Sequence, residues 1–455
     1  MSKYDLAIIG SGPCGYVAGI RAAQLGMKVC VIEKDKIGGV CLNSGCIPTK
    51  SLSASSKALE QIACANEFGI NVKDYSVDFK KVYERKDSVV KKLSTGIGML
   101  MKARKIDIVM REAEIKNPTS IAVGSTEIET KNILIATGSQ PVQIPGMEFD
   151  GKTIVSSKDL LQLDAIPKSI IIVGGGVIGC EFASIFRSFG CEITIVEMLD
   201  QILPNEDPEV SRKLHQTLRK KGVNIFIKTK VEKIEKIDFS VSARLSDGKT
   251  ISGEKVLISV GRAPNTKGLG IEKLGIVCDK GWIKVDKAFR TNIKNIYAAG
   301  DVRGGILLAH VASREGTVAV ENMSGKASKI DYKVIPNCIF TNPEVASVGI
   351  TDKQAKRDAL EVTTRKFMFS AIGKAHVIGE TDGFIKIVVE KSTDKILGAQ
   401  IIGPHATELI AEFSPCIQFG IKSESLASVI HAHPTLSEII QEVSEAVHNK
   451  AIHTI

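Results

Sequence analysis

Two cysteines, a histidine and a glutamate are the residues of this chain best placed to do chemistry. The segment GGVCLNSGCIPTKSL sets Cys41 and Cys46 with four residues between them, just ahead of Pro48 and Lys50. Pro48 in a first helical turn puts Cys46 at a helix N-terminus, where the positive end of the helix dipole favours a thiolate. Cys46 is therefore expected to be the electron-rich member of the pair. Lys50, one turn further on, is expected to aim its ammonium at the same pocket. This spacing is that of a redox pair held against a flavin; the competing reading is two ordinary buried cysteines. Near the other end, ASVIHAHPTLSEIIQEV supplies a proton handler. His433 precedes Pro434, whose fixed φ predicts a helix start, and Glu438 falls in the first turns of that helix, close enough to orient the imidazole. A histidine that titrates near neutral pH with a carboxylate behind it is a general acid/base pair. A histidine before a proline is otherwise a cap or a core residue, and it is the thiols, which need a base, that favour the catalytic reading. His431 is expected to line the site at most, and His310 and His405 to be structural.

These residues need elements to hold them, and the chain carries one phosphate-binding device twice. In YDLAIIGSGPCGYVAGIRAAQLGMKVCVIEK an apolar strand leads into Gly10, Gly12 and Gly15, then a helix, then a second strand ending at Glu33. In SIIIVGGGVIGCEFASIFRSFGCEITIVEM the counterparts are Gly174, Gly176, Gly179 and Glu197. Both acids lie 23 residues after the first glycine. The glycines form the tight turn and let backbone N–H groups reach a pyrophosphate, the helix N-terminus adds positive potential, and the carboxylate accepts ribose hydroxyls. The first unit runs straight into Cys41 and Cys46, so FAD is expected there. The second then takes a nicotinamide cofactor. Glu197 is acidic and the following MLDQILPNED has no Arg or Lys for a 2′-phosphate, which favours NAD over NADP. KNILIATGSQP closes a strand with Ala136, Thr137, Gly138 and Ser139, small residues that allow close backbone approach to a ligand. NIYAAGDVRGG, with Gly300 and Asp301, resembles the second FAD-binding stretch of flavoproteins that bind two dinucleotides, where the acid meets the ribityl chain. LISVGRAPNT, with Gly261, Arg262 and Pro264, is expected to turn the chain back toward the flavin domain.

GGVCLNSGCIPTKSL, the two fingerprints, ATGS, AAGD, IFTNPEVASVG and HAHPTLSE occur together in the dihydrolipoyl dehydrogenase family of flavoprotein disulfide reductases, which this chain resembles over essentially its whole length. The resemblance implies FAD in each subunit, NAD as electron acceptor, and a disulfide between Cys41 and Cys46. Cys41 would be the interchange thiol that attacks the lipoyl group, with Cys46 facing the flavin and the His433/Glu438 dyad coming from the partner of a homodimer. Lys50 is similar to the family lysine beside the flavin, with Glu181 as its carboxylate partner. The resemblance adds Ala113 and Ala309 to the FAD set and Val231 and Gly261 to the NAD set. Ala113 departs from the pattern, since glycine is expected beside the adenine, and the tail after His448 is short and unfamiliar. Glutathione reductases would want bases near Glu197, and mercuric reductases a C-terminal cysteine pair, whereas the last cysteine here is Cys416. The implied partner is a lipoylated carrier protein or the acyltransferase of a 2-oxoacid dehydrogenase or glycine cleavage complex.

The remaining sequence fits this frame. At 455 residues and 44% hydrophobic, the chain can bury several cores. The expected fold is α/β, with two Rossmann-like dinucleotide-binding domains and a C-terminal α+β dimerisation domain. The divisions fall at 1–145 for the first part of the FAD domain, 146–270 for the NAD domain, 271–335 for the return to the FAD domain, and 336–455 for the interface domain. The interface domain is expected to hold short alternating strands, FIKIVVE and ILGAQIIG, and helices around SESLASVI and LSEIIQEV. No run of 18 apolar residues appears. The first apolar stretch reads as a strand and phosphate loop rather than a signal peptide. Ten scattered cysteines suggest mostly buried free thiols in a reducing compartment, the cytoplasm. The net charge of +9 is read as solvated surface, with no metal site, no membrane and no nucleic acid implied.

Overall fold

The computed structural model describes residues 3–238 and 240–453. Short, continuously apolar runs become strands buried on both faces, as parallel sheets require. The strands Asp107–Met110, Val29–Glu33, Tyr4–Ile9, the second half of Thr126–Ile135, and Ile296–Ala298 lie side by side in that order, all parallel. Ile8 is flanked by Val31 on one side and Leu134 on the other. The first half of Thr126–Ile135 leaves this sheet and forms an antiparallel meander with Ser120–Val123 and Ala113–Asn117. The chain thus departs after the sheet's fourth strand and re-enters it at Ile296.

The excursion builds a second parallel sheet of Asn224–Phe226, Glu192–Val196, Ser169–Val173, Lys255–Ile258 and Ile154–Val155. It also holds an antiparallel sheet of Val231–Ile237, Ser240–Leu245 and Thr250–Gly253. It ends where Arg262–Pro264 pairs antiparallel with Ser139–Pro141. The turn around Arg262 therefore does carry the chain back to the first unit.

The C-terminal unit is an antiparallel sheet ordered Asn337–Ile339, Glu344–Gly349, Ile396–Gly403, Phe384–Glu390, Val362–Met368. The expected short alternating strands are its neighbouring Ile396–Gly403 and Phe384–Glu390. Their side chains do alternate, but both faces are covered. Phe384 and Ile402 pack into a core with Phe182, Phe186 and Leu214 of the second unit. Ile385, Ile387 and Ile401 pack under the helices Ala406–Phe419 and Glu438–Val447. Each such side chain contributes about 1.5–3 kcal/mol by leaving water, so the central strands are fixed from both sides. The SESLASVI region is helical only over Ser423–Ala427.

Helix contacts position the site. Helix Cys46–Ala63 packs on Val177–Ser188 of the second unit and on Phe79–Ala103. Helix Pro13–Gln24 lies against Ala309–Met323, so close that a Cβ on Gly316 would stand 2.5 Å from the Cys14 carbonyl oxygen. All ten cysteines are free; five are buried, and Cys64 and Cys278 are exposed, so burial is less general than the composition suggested. Among the described residues, no helix is long and apolar enough to cross a membrane.

Candidate active site

Helix Cys46–Ala63 begins at Cys46 itself, with Gly45 as its N-cap. Cys41 sits in the short preceding helix Gly39–Ser44. A Cβ on Gly45 would stand 3.0 Å from the Val40 carbonyl oxygen and 3.4 Å from Cys41 Cα, so glycine lets the two thiols approach. Both are half-buried, and their titrations are tied to each other. The Cys46 thiol is pulled below its ordinary value, first by the hydrogen bond from Cys41, with Lys50 adding to it and burial opposing. Cys41 moves the other way, raised by that same hydrogen bond and by burial. Lys50 Nζ is 2.9 Å from both carboxylate oxygens of Glu181, which is buried on helix Val177–Ser188. The Phe340 N–H donates to Glu181 Oε1 at 2.9 Å, and the Lys50 ammonium lies 4.7 Å from the Phe340 ring centroid.

The two fingerprints are superimposable in their details. Gly10 and Gly174 both have φ +103°. A Cβ on Gly15 would stand 1.8 Å from the Gly10 carbonyl oxygen, and one on Gly179 would stand 2.1 Å from that of Gly174. No other residue type fits at the third glycine. At the second glycine the space is open: nothing lies within 4 Å of a Cβ on Gly176, and only Gly39 Cα, at 3.9 Å, on Gly12. Glu33 Oε2 accepts the Ser11 N–H at 2.9 Å and Oε1 that of Asp35 at 2.9 Å. Glu197 repeats this with the Gly175 N–H at 2.7 Å and the Leu199 N–H at 2.8 Å. Each unit thus presents helix N–H groups, an open lip and an oriented carboxylate, a donor set that suits a dinucleotide. The first cradle lies directly against the thiols' element. The Gly38 N–H donates to the Ser11 carbonyl at 3.1 Å, and a Cβ on Gly39 would be 2.6 Å from Gly12 Cα.

The other expected cofactor residues lie on strand ends, turns and a helix start. Ser139 Oγ donates to Asp301 Oδ2 at 2.6 Å, and Arg262 donates through Nε to Ser139 Oγ and through Nη2 to the Ser139 carbonyl, both at 2.7 Å. Thr137 and Gly138 are pinned by Asn265, which receives the Thr137 hydroxyl on its carbonyl at 2.7 Å and donates its own N–H to the Gly138 carbonyl at 3.0 Å. Ala309 is the first residue of helix Ala309–Met323, and Ala113 is buried at the start of its strand. Val231 is buried beside the turn in which the Thr229 N–H donates to the Glu197 carbonyl at 3.0 Å. Gly261, at φ +135°, accepts the Val142 N–H at 3.1 Å.

His433 Nδ1 is 2.8 Å from Glu438 Oε1, and the Thr435 N–H donates to Glu438 Oε2 at 2.8 Å. Burial opposes ionisation of Glu438, but these two hydrogen bonds outweigh it and hold its carboxyl below the ordinary value. The helix does not start at Pro434 as expected. It starts at Glu438, because Thr435 spends its hydroxyl on the Ala432 carbonyl and its N–H on Glu438, which makes residues 432–435 a separate turn. The His433 side chain is 78% exposed, and no hydrogen bond joins it to Cys41 or Cys46 among the described residues. His431 is partly buried, with its side chain covered and bound to Glu412 Oε1 at 3.0 Å. His310 is bound to the Pro336 carbonyl at 2.9 Å, and His405 caps a helix in the left-handed conformation. The unfamiliar tail folds back on the dyad's helix, with His453 Nδ1 2.5 Å from Glu442 Oε1.

Sequence reading missed Glu315. It is buried, accepts the Gly300 N–H at 2.7 Å and the Arg303 Nε–H at 2.9 Å, and so orients the turn that carries Asp301. The only signal was an acid within the helix segment REGTVA, and that acid lies 14 residues past Asp301.

Residues 4–316 match the model of the pyridine nucleotide-disulphide oxidoreductase family, and residues 335–444 match that family's dimerisation domain. A dihydrolipoyl dehydrogenase of Bacillus subtilis is 44% identical, with 99% of each chain covered. One of Geobacillus stearothermophilus is 43% identical over 99% of this chain and 97% of its own. Among solved structures, LpdA of Mycobacterium tuberculosis aligns with a TM-score of 0.91 at 29% identity, covering 97% of this chain and 99% of its own. The flavoprotein disulfide reductase RclA of Escherichia coli aligns at 0.89 and 31%, covering 98% and 100%.

Proposed function

The chain belongs to the pyridine nucleotide-disulphide oxidoreductase family, and on that premise we propose that it oxidises dihydrolipoyl groups of a carrier protein and reduces NAD, using FAD and the Cys41/Cys46 pair. The observation that carries this reading is the junction of the first phosphate cradle with the thiol element, through Gly38, Gly39 and Ser11, with Cys46 activated at a helix start. Gly10, Gly12, Gly15, Glu33, Thr137, Gly138, Asp301 and Ala309 would hold FAD, and Gly174, Gly176, Gly179, Glu197, Val231 and Gly261 would hold NAD. Bound FAD supplies a two-electron relay from the reduced thiol pair to NAD. Ala113, buried with its backbone in a strand, offers adenine the same main-chain groups that glycine would.

In the oxidised enzyme Cys41 and Cys46 form a disulfide. His433 takes a proton from one substrate thiol, and the thiolate attacks Cys41, forming a mixed disulfide and releasing Cys46 as thiolate. The second substrate sulfur then attacks the first, closing the lipoyl disulfide and freeing Cys41, which takes up that second thiol's proton, while the first proton stays on His433 and Cys46 remains the thiolate. Two electrons have moved from substrate dithiol to enzyme dithiol. Glu438 holds the imidazole and stabilises its cationic form. Lys50 and Glu181 fix the floor beneath Cys46. Because His433 faces outward, the dyad serves the thiols of a second copy, in a homodimer joined through the domain at 336–455. The domain divisions at 145 and 335, with the expected return at 270 corrected to the pairing of Arg262–Pro264 with Ser139–Pro141, a lipoylated carrier protein or the acyltransferase of a 2-oxoacid dehydrogenase complex as partner, and a cytoplasmic setting complete the proposal.

The test is a steady-state assay of the FAD-loaded protein with dihydrolipoamide. NAD should support turnover and NADP should be worse by orders of magnitude, since the backbone-locked Glu197 carboxylate would face the 2′-phosphate as a like charge. No NAD-linked oxidation of dihydrolipoamide, or equal kcat/KM with NADP, refutes the reading.

A further inference from the structure

Lys386 stands in the middle of strand Phe384–Glu390, on the face turned toward the second unit, and is only 2% exposed. Its ammonium lies 2.9 Å from Asp207 Oδ2, 2.8 Å from Glu209 Oε1 and 3.3 Å from Asp352 Oδ2. Asp207 is fully buried and caps helix Pro208–Lys220, accepting the Glu209 N–H at 2.8 Å. Asp352 opens helix Asp352–Arg357. Burial works against the ammonium, but its hydrogen bonds to Asp207 and Glu209 outweigh that and keep it charged. A buried ion cluster of this kind is weak evidence for stability, because well-packed apolar groups of similar volume do as well or better. Its location suggests another role.

Asp207 ends the segment that closes the second phosphate cradle. At the segment's start, Glu197 holds the Gly175 and Leu199 N–H groups. In its middle, the Leu203 N–H donates to the Gly175 carbonyl at 2.8 Å, and Gln201 Nε2 reaches the Glu206 carbonyl at 3.2 Å. At its end, Asn337 of the C-terminal sheet donates to Glu206 Oε1 at 2.6 Å, and Lys386 of the same sheet grips Asp207. Residues 198–206 are therefore strung between the nucleotide-binding glycines and the C-terminal sheet. We propose that Lys386 is a positioning residue for the nicotinamide nucleotide: through Asp207 it sets this segment, and hence the Gly175/Glu197 cradle, so that nucleotide binding depends on the C-terminal unit. The proposal rests on the second unit being the NAD site.

Lys386→Met keeps the chain's length and removes its charge. With the FAD-loaded dimer, NAD binding measured by calorimetry should weaken about tenfold, within the usual range of coupling between sites, and KM for NAD should rise with it. Reduction of the bound flavin by dihydrolipoamide without NAD should stay within about twofold of wild type, since that step uses a different cradle. Lys386→Arg should recover part of the NAD affinity. Unchanged NAD binding in the Met variant, or a proportional fall of both half-reactions, would overturn the proposal in favour of a purely structural cluster. If Lys386→Met does not fold, Asp207→Asn keeps a capping oxygen for Glu209 while removing the charge that Lys386 grips. It should weaken NAD binding by roughly threefold, and no change there also overturns the role. A wild-type protein that binds no NAD at all would refute the reading of the second unit, and this proposal with it.

Discussion

Cys46 sits among neighbours that pull in different directions: the Cys41 hydrogen bond and the Lys50 ammonium favour its thiolate, while burial and Glu181 disfavour it, and the outcome is a lowered pKa. A thiol with a depressed value stays ionised as pH falls through the ordinary thiol range, and is lost only when pH drops through the lowered value. The two-electron-reduced protein should therefore keep its long-wavelength thiolate-to-flavin absorption into that lower range. Cys46→Ser should abolish the band and Cys41→Ser should retain it. Lys50→Met removes an attractive charge and leaves the Glu181 carboxylate facing the sulfur alone, so the pH midpoint of the band should move up by about one unit or more. An absorbance titration reads this directly; a midpoint that does not move, or a band that survives in both cysteine variants, shows that the thiols have been assigned wrongly.

At the scale of elements, the duplicated glycine loop separates two jobs that single substitutions can test. The third glycine of each loop is a packing residue and the second is a ligand residue. Gly179→Ala drives a methyl group to 2.1 Å from the Gly174 carbonyl oxygen, so the loop must distort and both thermal stability and NAD binding should suffer. Gly176→Ala meets nothing within 4 Å, so melting temperature should hold while NAD binding falls about tenfold or more, because the methyl group occupies the lip where a pyrophosphate sits. Equal effects of the two on melting temperature would contradict this division. The device was legible in the sequence because everything it needs lies within 24 residues: turn glycines, helix, strand and acid. The thiol pair and its helix start were legible for the same reason. The helix assigned to Pro434 begins four residues later, because Glu438 caps the turn before its own helix, a choice made by two hydrogen bonds rather than by proline. Glu315 and Lys386 were not legible, since their importance comes from partners brought in by folding, Gly300 and Arg303 for the one, Asp207 and Asp352 for the other. In the central C-terminal strands the alternation of faces was readable, but what covers the second face belongs to a unit more than 160 residues earlier, which no local pattern encodes.

The whole molecule leaves its proton handler pointing away from its own body. His433 is 78% exposed, Ile430 nearby is 95% exposed and Phe419 78%, while the thiols are half-buried in a different unit. A large apolar side chain left open three residues before an oriented histidine, with another open on the same unit, marks a surface that another chain covers, and residues 335–444 match a dimerisation domain. If the dyad of one copy serves Cys41 and Cys46 of the other, two inactive variants can repair each other. A Cys41→Ser homodimer and a His433→Gln homodimer each lack an intact site. A mixed dimer has one site built from an unaltered thiol pair and an unaltered dyad, and one doubly damaged. Random exchange in an equal mixture makes half of the dimers mixed, so activity should return to about a quarter of wild type. His433→Gln alone should slow oxidation of dihydrolipoamide by roughly 10²–10⁴-fold, the usual worth of general acid/base catalysis. Electron flow from NADH to an artificial acceptor should persist in that variant, since it requires no proton transfer at the thiols. The measurement is activity after subunit exchange, with exchange itself followed by native mass spectrometry. Mixed dimers that form and stay inactive would mean that thiols and dyad are joined within one chain, and the outward face of His433 would then need a different explanation.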